Sequence, residues 1–382
     1  MRRMINIMLF VPLIGLSQQQ SLESINYDGN DREYIIYIPQ SYSVNNPVPV
    51  LLAFHGGSGF ADDFMNNEAD FRSISDTAGF ILVYPQALED PNDGNSTNWL
   101  HKDPTDHKDI FFVEALIDDI STNYSIDTDR IYACGYSLGG MFSYELACQL
   151  NNKITAISSV AGAAFFGAFS SCDIYHPTAV QSINGTEDGT HPYDDQNGWG
   201  YFSVAAIDSF WAVTNNTDAL PIITPIPDIN TADGSSVERY SWINGDGCVS
   251  VEELKITGGG HDWPSPLSPF TNQDINATSE VWNFVSKYNM NGLIECDTIS
   301  TSISSLTLPK VSLQPNPSNG TFTVHSTQSI LQIEVYNLLG KQVASEVGQG
   351  RNLALSMVQP TGLYFVKVLH NEGDVTLPYL LE

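Results

Sequence analysis

The stretch Arg130-Ile131-Tyr132-Ala133-Cys134-Gly135-Tyr136-Ser137-Leu138-Gly139-Gly140 decides how this chain folds. Its first five residues predict a strand, and residues 139–150 predict a helix. The Gly-x-Ser-x-Gly motif between them is typical of a sharp turn that lifts a serine hydroxyl above the edge of a sheet. Small residues suit this turn because the chain passes close to its neighbours at strained dihedral angles. The motif therefore predicts Ser137 as a nucleophile; the alternative is a glycine-rich turn that only packs tightly.

Strands and helices alternate on both sides of this turn. Short apolar runs at 48–54 and 80–84 predict strands buried on both faces, and residues 110–120 carry apolar residues at helical spacing. Further strands are predicted at 154–160 and 179–183, and a closing helix at 279–288. This alternation indicates an α/β fold with a mostly parallel sheet covered on both faces.

A serine hydroxyl is a weak nucleophile and needs a base, which a third group must orient. In proteins that carry this turn, the acid follows the serine and the histidine comes last. His261 lies in a glycine-rich loop after a strand predicted at 253–256, so it is the candidate base. Asp188 lies on a turn after the strand at 179–183 and is favoured over its neighbour Glu187 as the acid. The alternative for Asp188 is a turn carboxylate in solvent.

The strand at 48–54 runs into His55-Gly56-Gly57-Ser58-Gly59. A loop in this position donates one N–H group to a developing oxyanion, and the residue after the nucleophile donates the other. Gly57 and Leu138 are the predicted donors, and His55 is predicted to orient the loop. Three aromatic residues are candidates for substrate binding, although they could equally belong to the core: Trp99, Tyr136 and Trp263.

Charge and metal-ligand patterns exclude other functions. Fifteen Lys and Arg residues stand against 44 Asp and Glu residues, so the net charge of −29 disfavours nucleic acid and anionic lipid as partners. The polar segment 101–109 contains His101, His107 and three aspartates, but their spacing fits no standard metal pattern. Residues 228–234 lack the ligands of a calcium loop. We therefore predict no metal site and no cofactor.

The five cysteines contain no CxxC pair, which argues against a zinc ribbon or a thioredoxin-like motif. An exported chain permits disulfides, and an odd count leaves at least one thiol unpaired. Cys134 is the predicted free thiol because it lies in an apolar strand pattern. Cys148–Cys172 and Cys248–Cys296 are then the predicted bridges.

Composition also divides the chain into segments. Residues 1–19 have the two arginines, the short apolar run and the polar end of a signal peptide, and no other segment predicts a permanent membrane anchor. A catalytic domain is predicted over 20–292 and a Ser/Thr-rich linker over 293–310. Alternating short strands and turn signals predict a small all-β, sandwich-like domain over 311–382.

Taken together, the motifs resemble the polyhydroxybutyrate depolymerase and feruloyl esterase family. The matching segments lie at 31–34, 54–56, 109–116, 127–140, 184–193 and 258–264. The resemblance implies an α/β-hydrolase fold and a serine esterase that works through an acyl-enzyme, with the triad Ser137, Asp188 and His261. Its implied substrates are feruloyl or acetyl esters of polysaccharides, or polyesters such as polyhydroxybutyrate. The alternatives are a non-catalytic surface binding protein on the same scaffold, and a peptidase or lipase.

The tail resembles the C-terminal sorting domain of the type IX secretion system. The matching segments are 314–320, 336–341 and 362–366. This resemblance implies the type IX secretion machinery as a partner. It also implies export, with the mature protein released or held on the outer-membrane surface.

Overall fold

A computed structural model describes residues 19–91, 93–99, 107–165, 167–172, 174–194, 200–296, 310–337, 341–370 and 373–381. Residues 1–18 of the predicted signal peptide and residues 297–309 of the predicted linker lie outside the described residues. So does His101, with most of the polar segment around it.

The strands follow one another along the chain with these bounds: β1 Gln19–Tyr27, β2 Asn30–Ile38, β3 Val48–Phe54, β4 Ile81–Pro85, β5 Glu89–Asp90, β6 Ser96–Thr97, β7 Ile126–Tyr136, β8 Ala156–Val160, β9 Ala179–Gly185, β10 Ile222–Pro225, β11 Ser236–Trp242, β12 Val251–Thr257, β13 Tyr288–Asn289, β14 Gly292–Leu293, β15 Val311–Gln314, β16 Thr321–Asn337, β17 Gln342–Ser356, β18 Gly362–His370 and β19 Gly373–Leu381.

The helices have these bounds: α1 Ala61–Asp63, α2 Arg72–Ala78, α3 Lys108–Asn123, α4 Leu138–Gln149, α5 Val204–Thr214 and α6 Ala277–Val285. A π-helical turn, Phe64–Glu68, continues α1, and single 3-10 turns lie at Ala168–Ser171 and Asp246–Cys248.

The large sheet has the strand order β1-β2-β4-β3-β7-β8-β9-β12-β11-β10. The strands from β4 to β12 in this order are parallel to one another, and β1, β2, β11 and β10 are antiparallel to their neighbours at the two edges. Parallel strands end at the same edge, so the loops after β3, β7, β9 and β12 meet there. The predicted α/β-hydrolase architecture is confirmed.

Helices cover both faces of this sheet, and side chains alternate between the two cores along each strand. On β3, Leu52 and Phe54 belong to the core that also contains residues of α3, α4 and α5, whereas Leu51 and Ala53 belong to the core that contains residues of α2 and α6. All four residues are fully buried. In the part of the chain that the structure describes, no helix is both long and apolar enough to cross a membrane.

The second sheet is small and antiparallel, with the order β15-β16-β18-β19 and β17 paired with β16. It has a core of its own, which includes Phe322, Val324 and Tyr379. The predicted all-β C-terminal domain is therefore confirmed in its fold class. The predicted disulfides Cys148–Cys172 and Cys248–Cys296 are present, and Cys134 is a buried free thiol, as expected.

Candidate active site

Ser137 lies at the turn between β7 and α4, with φ of 54° and ψ of −117°. Such a conformation costs a non-glycine residue about 1–3 kcal/mol, and only tightly packed surroundings maintain it. A Cβ added at Gly135 would lie 2.3 Å from the Gly139 carbonyl, and one added at Gly139 would lie 2.1 Å from Phe54 O. These two glycines therefore allow the turn to form against β3.

The structure brings the three predicted triad residues together in one hydrogen-bonded line. His261 Nε2 lies 2.8 Å from Ser137 Oγ, and His261 Nδ1 lies 2.7 Å from Asp188 Oδ2. The side chain of Asp188 is fully buried, whereas that of His261 is 19% exposed. The hydroxyl therefore has a base within reach, and the base has a buried carboxylate behind it.

Asp188 is held in its charged form. Burial opposes the charge, but the hydrogen bond from His261 and the backbone N–H groups of His191 and Thr190 together lower the pKa of this carboxyl. Both N–H groups donate to Asp188 Oδ1 at 2.8 Å. One carboxylate oxygen thus anchors its own loop, and the other is free to orient the imidazole.

Backbone contacts set the distance between the loop after β9, which carries Asp188, and the loop after β12, which carries His261. Glu187 N donates to Gly259 O at 2.8 Å, and a Cβ on Gly185 would lie 2.3 Å from that same oxygen. Glu187 itself is exposed, which favours Asp188 as the acid. A glycine at each contact lets the two loops touch, so Asp188 reaches the ring.

The loop at residues 55–59, here called the oxyanion loop, faces the turn at Ser137. A Cβ placed on Gly57 would lie 3.5 Å from Leu138 Cδ2, and one on Gly56 would lie 3.3 Å from Ser137 Cβ. The predicted N–H donors Gly57 and Leu138 are therefore on neighbouring segments beside the nucleophile. Leu138 is also the first residue of α4, where backbone N–H groups have no partner within the helix.

His55 lies behind the oxyanion loop. It is 1% exposed, its Nδ1 lies 2.7 Å from Gly56 O, and its Nε2 accepts from Ala87 N at 3.2 Å. Burial lowers its pKa to about 4, so the ring is neutral at physiological pH. These contacts agree with the prediction that His55 orients the loop.

The aromatic candidates have different positions. Trp99 is 1% exposed, stacks on Phe142 and donates from Nε1 to His55 O at 2.9 Å. Trp263 is 5% exposed and packs edge-on against Phe64. Burial corrects the prediction that these two tryptophans line the cleft, because both belong to the core that supports the loops. Tyr136 is half-buried, and its hydroxyl donates to His261 O at 2.7 Å.

Several supporting residues were not predicted. Gln86 accepts from Ala61 N at 2.8 Å, and its amide nitrogen lies 3.2 Å from His55 Nε2. Thr97 Oγ1 donates to Gly59 O at 2.6 Å, so Gln86 and Thr97 hold the far side of the oxyanion loop. No sequence motif marks them, because they lie about 30 and 40 residues beyond the groups they contact.

Two buried carboxyl groups, those of Asp208 and Glu253, lie next to β9 and the segment that follows Asp188. Ser182 Oγ donates to Asp208 Oδ1 at 3.0 Å, and the Tyr193 hydroxyl donates to Glu253 Oε1. Burial, reinforced by the charge of Glu253, raises the pKa of Asp208 well above its usual value. Burial also raises the pKa of Glu253. Burial thus favours the neutral form of both carboxyl groups.

Among the described residues, no group of three or more His, Cys, Asp or Glu side chains is arranged to hold a metal ion. Asp109, one of the aspartates of the polar segment, instead pairs with Arg32 at 2.7 Å in a buried ion pair. His107 lies at the start of α3.

Comparison with known proteins places this fold in a family. A family model described as "Putative esterase" matches residues 25–220, about half of the chain. A second model, described as "Secretion system C-terminal sorting domain", matches residues 312–378. The predicted resemblances to an α/β-hydrolase esterase family and to a type IX sorting domain are thereby confirmed.

Individual relatives agree with this assignment. The bifunctional acetylxylan esterase/xylanase XynS20E of Neocallimastix patriciarum is 30% identical over 264 residues, which cover 69% of this chain and 34% of that protein. This chain thus spans about a third of that relative's length. Feruloyl esterase D of Neurospora crassa is 25% identical over 277 residues, covering 69% of this chain and 84% of that protein.

Among solved structures, the acetyl xylan esterase from Aspergillus awamori has a TM-score of 0.50 and 16% identity, covering 70% of this chain and 99% of that chain. At this identity the likeness concerns the fold alone. The two family matches carry the assignment: this chain belongs to the esterase family of α/β-hydrolases and carries a C-terminal sorting domain of the type IX secretion system.

Proposed function

We propose that this chain is an exported carboxylic ester hydrolase in which Ser137, His261 and Asp188 form the catalytic triad. The observation that carries the proposal is the hydrogen-bonded line from Ser137 Oγ through His261 to Asp188. The strained turn at Ser137 supports it, because such strain persists where surrounding packing enforces it and clusters at functional sites. The sorting domain supports export.

In the proposed mechanism, Ser137 Oγ attacks the ester carbonyl carbon while His261 Nε2 takes the hydroxyl proton. Asp188, ionised and hydrogen-bonded to Nδ1, holds the ring in the tautomer that leaves Nε2 free to accept, and stabilises the imidazolium that forms. The backbone N–H groups of Gly57 and Leu138 stabilise the negative oxygen of the tetrahedral intermediate. His261 then protonates the leaving alcohol, and water hydrolyses the acyl-enzyme by the same steps in reverse.

The relatives suggest the class of ester. Two of them are named for acetylxylan and feruloyl esters, so we propose acyl groups carried on polysaccharide as the substrate. Polyesters such as polyhydroxybutyrate are the second candidate, because the same triad chemistry cleaves any accessible carboxylic ester. Rates on acetylated xylan, methyl ferulate and polyhydroxybutyrate would distinguish these classes.

Replacement of the nucleophile tests the mechanism. Ser137→Ala removes the attacking oxygen, and we expect kcat on 4-nitrophenyl acetate to fall by about 10⁴-fold or more. A fluorophosphonate probe should label the unaltered protein on the peptide that contains Ser137, and peptide mass spectrometry would detect the adduct. Ser209→Ala, a hydroxyl deletion on α5, is the matched control. Full activity in Ser137→Ala, or labelling at another serine, would refute the assignment.

A further inference from the structure

An open groove of about 570 Å³ is lined by residues of β1, β2 and α1 and by residues 86–89 and 97, next to the oxyanion loop. We call it the outer groove; its walls include Leu22, Glu33, Phe60, Gln86 and Thr97. Its size is within the range of small-molecule sites. The proposed mechanism uses none of this space, so the groove is available to a part of the substrate away from the ester.

The groove and the candidate active site share a wall. Gln86 and Thr97 line the groove, and their other contacts hold His55 and Gly59 of the oxyanion loop. Ala61, which also lines the groove, donates from its backbone N to Gln86 Oε1. The groove therefore borders the same loop that faces Ser137.

The side chains that line the groove indicate which kind of ligand it can bind. Phe60 is 56% exposed and Leu22 is 65% exposed, so the rim offers apolar surface. Glu33 and Asp31 lie on β2 at the same rim, with Asp62 and Glu89 nearby. Ionised carboxylates accept hydrogen bonds and cannot donate them, so a matching ligand carries hydroxyl donors beside an apolar face. A sugar ring has both features.

The same chemistry disfavours other ligands. A polyester has ester oxygens that only accept hydrogen bonds, so these atoms do not match the carboxylates. An anionic chain would be repelled, because none of the described lining residues carries a positive charge. Arg72 reaches Gln20 at one end of the groove, but Asp70 pairs with it at 2.8 Å.

We propose that the outer groove binds a neutral polysaccharide chain and places one of its acyl groups over Ser137. This inference rests on the proposed function, since it adds a binding subsite for the polysaccharide part of the same substrate. It assigns Phe60 as a platform for a sugar ring and Glu33 as an acceptor for sugar hydroxyls.

The first test measures binding without hydrolysis. Titration of xylohexaose into the full chain with Ser137→Ala should give saturable heat, and adding Phe60→Ala should weaken affinity about 5- to 10-fold, because an exposed ring then loses its stacking partner. Glu33→Ala should also weaken binding. Tyr175→Ala removes another exposed ring, and Glu346→Ala removes an exposed carboxylate of the C-terminal sheet. Neither control should change the affinity.

The second test uses the active chain. Phe60→Ala should lower the ratio of kcat/KM on acetylated xylohexaose to kcat/KM on 4-nitrophenyl acetate by about 5- to 10-fold. Binding of xylohexaose that does not depend on Phe60, or tighter binding of a 3-hydroxybutyrate oligomer or a uronic acid oligosaccharide, would overturn the proposal. If xylohexaose binds through Phe60 while the active chain hydrolyses no ester, the groove stands and the proposed function fails. If esters are hydrolysed but binding does not depend on Phe60, the proposed function stands and the proposal for the groove fails.

Discussion

On one side of Ser137, the loops after β9 and β12 carry the side chains Asp188 and His261, whose functional atoms contact one another directly. On the other side, the oxyanion loop offers only backbone N–H groups. Its position depends on side chains from other segments, namely Gln86, Thr97 and Trp99. In the proposed mechanism, side chains therefore act on the first side and backbone N–H groups act on the second.

This difference has a consequence for mutation. A substitution on the triad side removes a reacting group or the group that orients it. A substitution on the oxyanion side moves a donor but leaves it present, so we expect smaller losses there. Four substitutions, from the largest expected effect to the smallest, test this ranking.

Asp188→Asn is the most damaging of the four. Asparagine keeps the shape but loses the charge that holds His261 in its reactive tautomer, so kcat on 4-nitrophenyl acetate should fall by about 10⁴-fold. Steady-state kinetics at pH 7.5 measure the loss. Glu187→Gln, on the exposed neighbour, is the matched control and should be active. Equal losses in both variants would mean that Asp188 is not the acid.

Gly57→Ala tests the oxyanion side. The new Cβ would lie 3.2 Å from Asn98 Oδ1 and 3.5 Å from Leu138 Cδ2, so the loop must shift by a few tenths of an ångström. Misplacing one donor should lower kcat by about 10- to 100-fold, which is less than the loss expected when a donor is removed. Gly167→Ala, whose added Cβ would have no neighbour within 4 Å, is the control. A loss as large as that of Asp188→Asn would break the proposed ranking.

Much of this architecture is predictable from sequence because burial produces continuous apolar runs. The runs at 48–54 and 179–183 coincide with β3 and most of β9, and residues 110–120 lie within α3. The edge strands were not predicted. β10 is exposed at all four positions, so burial imposes no pattern on its residues. The three residues of the proposed triad were predictable because serine esterase chemistry requires particular side chains in a particular order.

The support of the oxyanion loop was not predictable in the same way. Gln86 contacts His55 across 31 residues, and an amide in an apolar segment has no chemical signature of its own. Trp99 and Trp263 are ambiguous for a different reason. A tryptophan near a motif is as typical of a cleft as of a core. Only packing distinguishes the two, and here both indoles are buried.

Gln86→Leu tests whether the unpredicted support matters. Leucine has a similar size but leaves Ala61 N–H without its acceptor, so the loop should become less well ordered. We expect kcat to fall about 10-fold, because small misplacements of catalytic groups are costly, with a smaller change in KM for a small ester. Gln359→Leu, in the C-terminal region, controls for loss of an amide. A change in KM alone would indicate that Gln86 acts on substrate binding and not on the loop.

His55→Gln should have the smallest effect on activity and a distinct effect on stability. Burial lowers the pKa of His55 to about 4, whereas the unfolded chain has an ordinary histidine near 6.5. As pH falls below about 6.5, the unfolded state takes up the proton first, so the free energy of unfolding decreases. Protonation of this one residue should lower the free energy of unfolding by about 2 kcal/mol between pH 7.5 and 5.

The glutamine of His55→Gln can still accept from Ala87 N but does not titrate. Urea unfolding at both pH values, followed by tryptophan fluorescence, should therefore show a shallower decrease in His55→Gln than in the unaltered chain. Equal decreases in the two proteins would show that His55 is not held neutral behind the oxyanion loop.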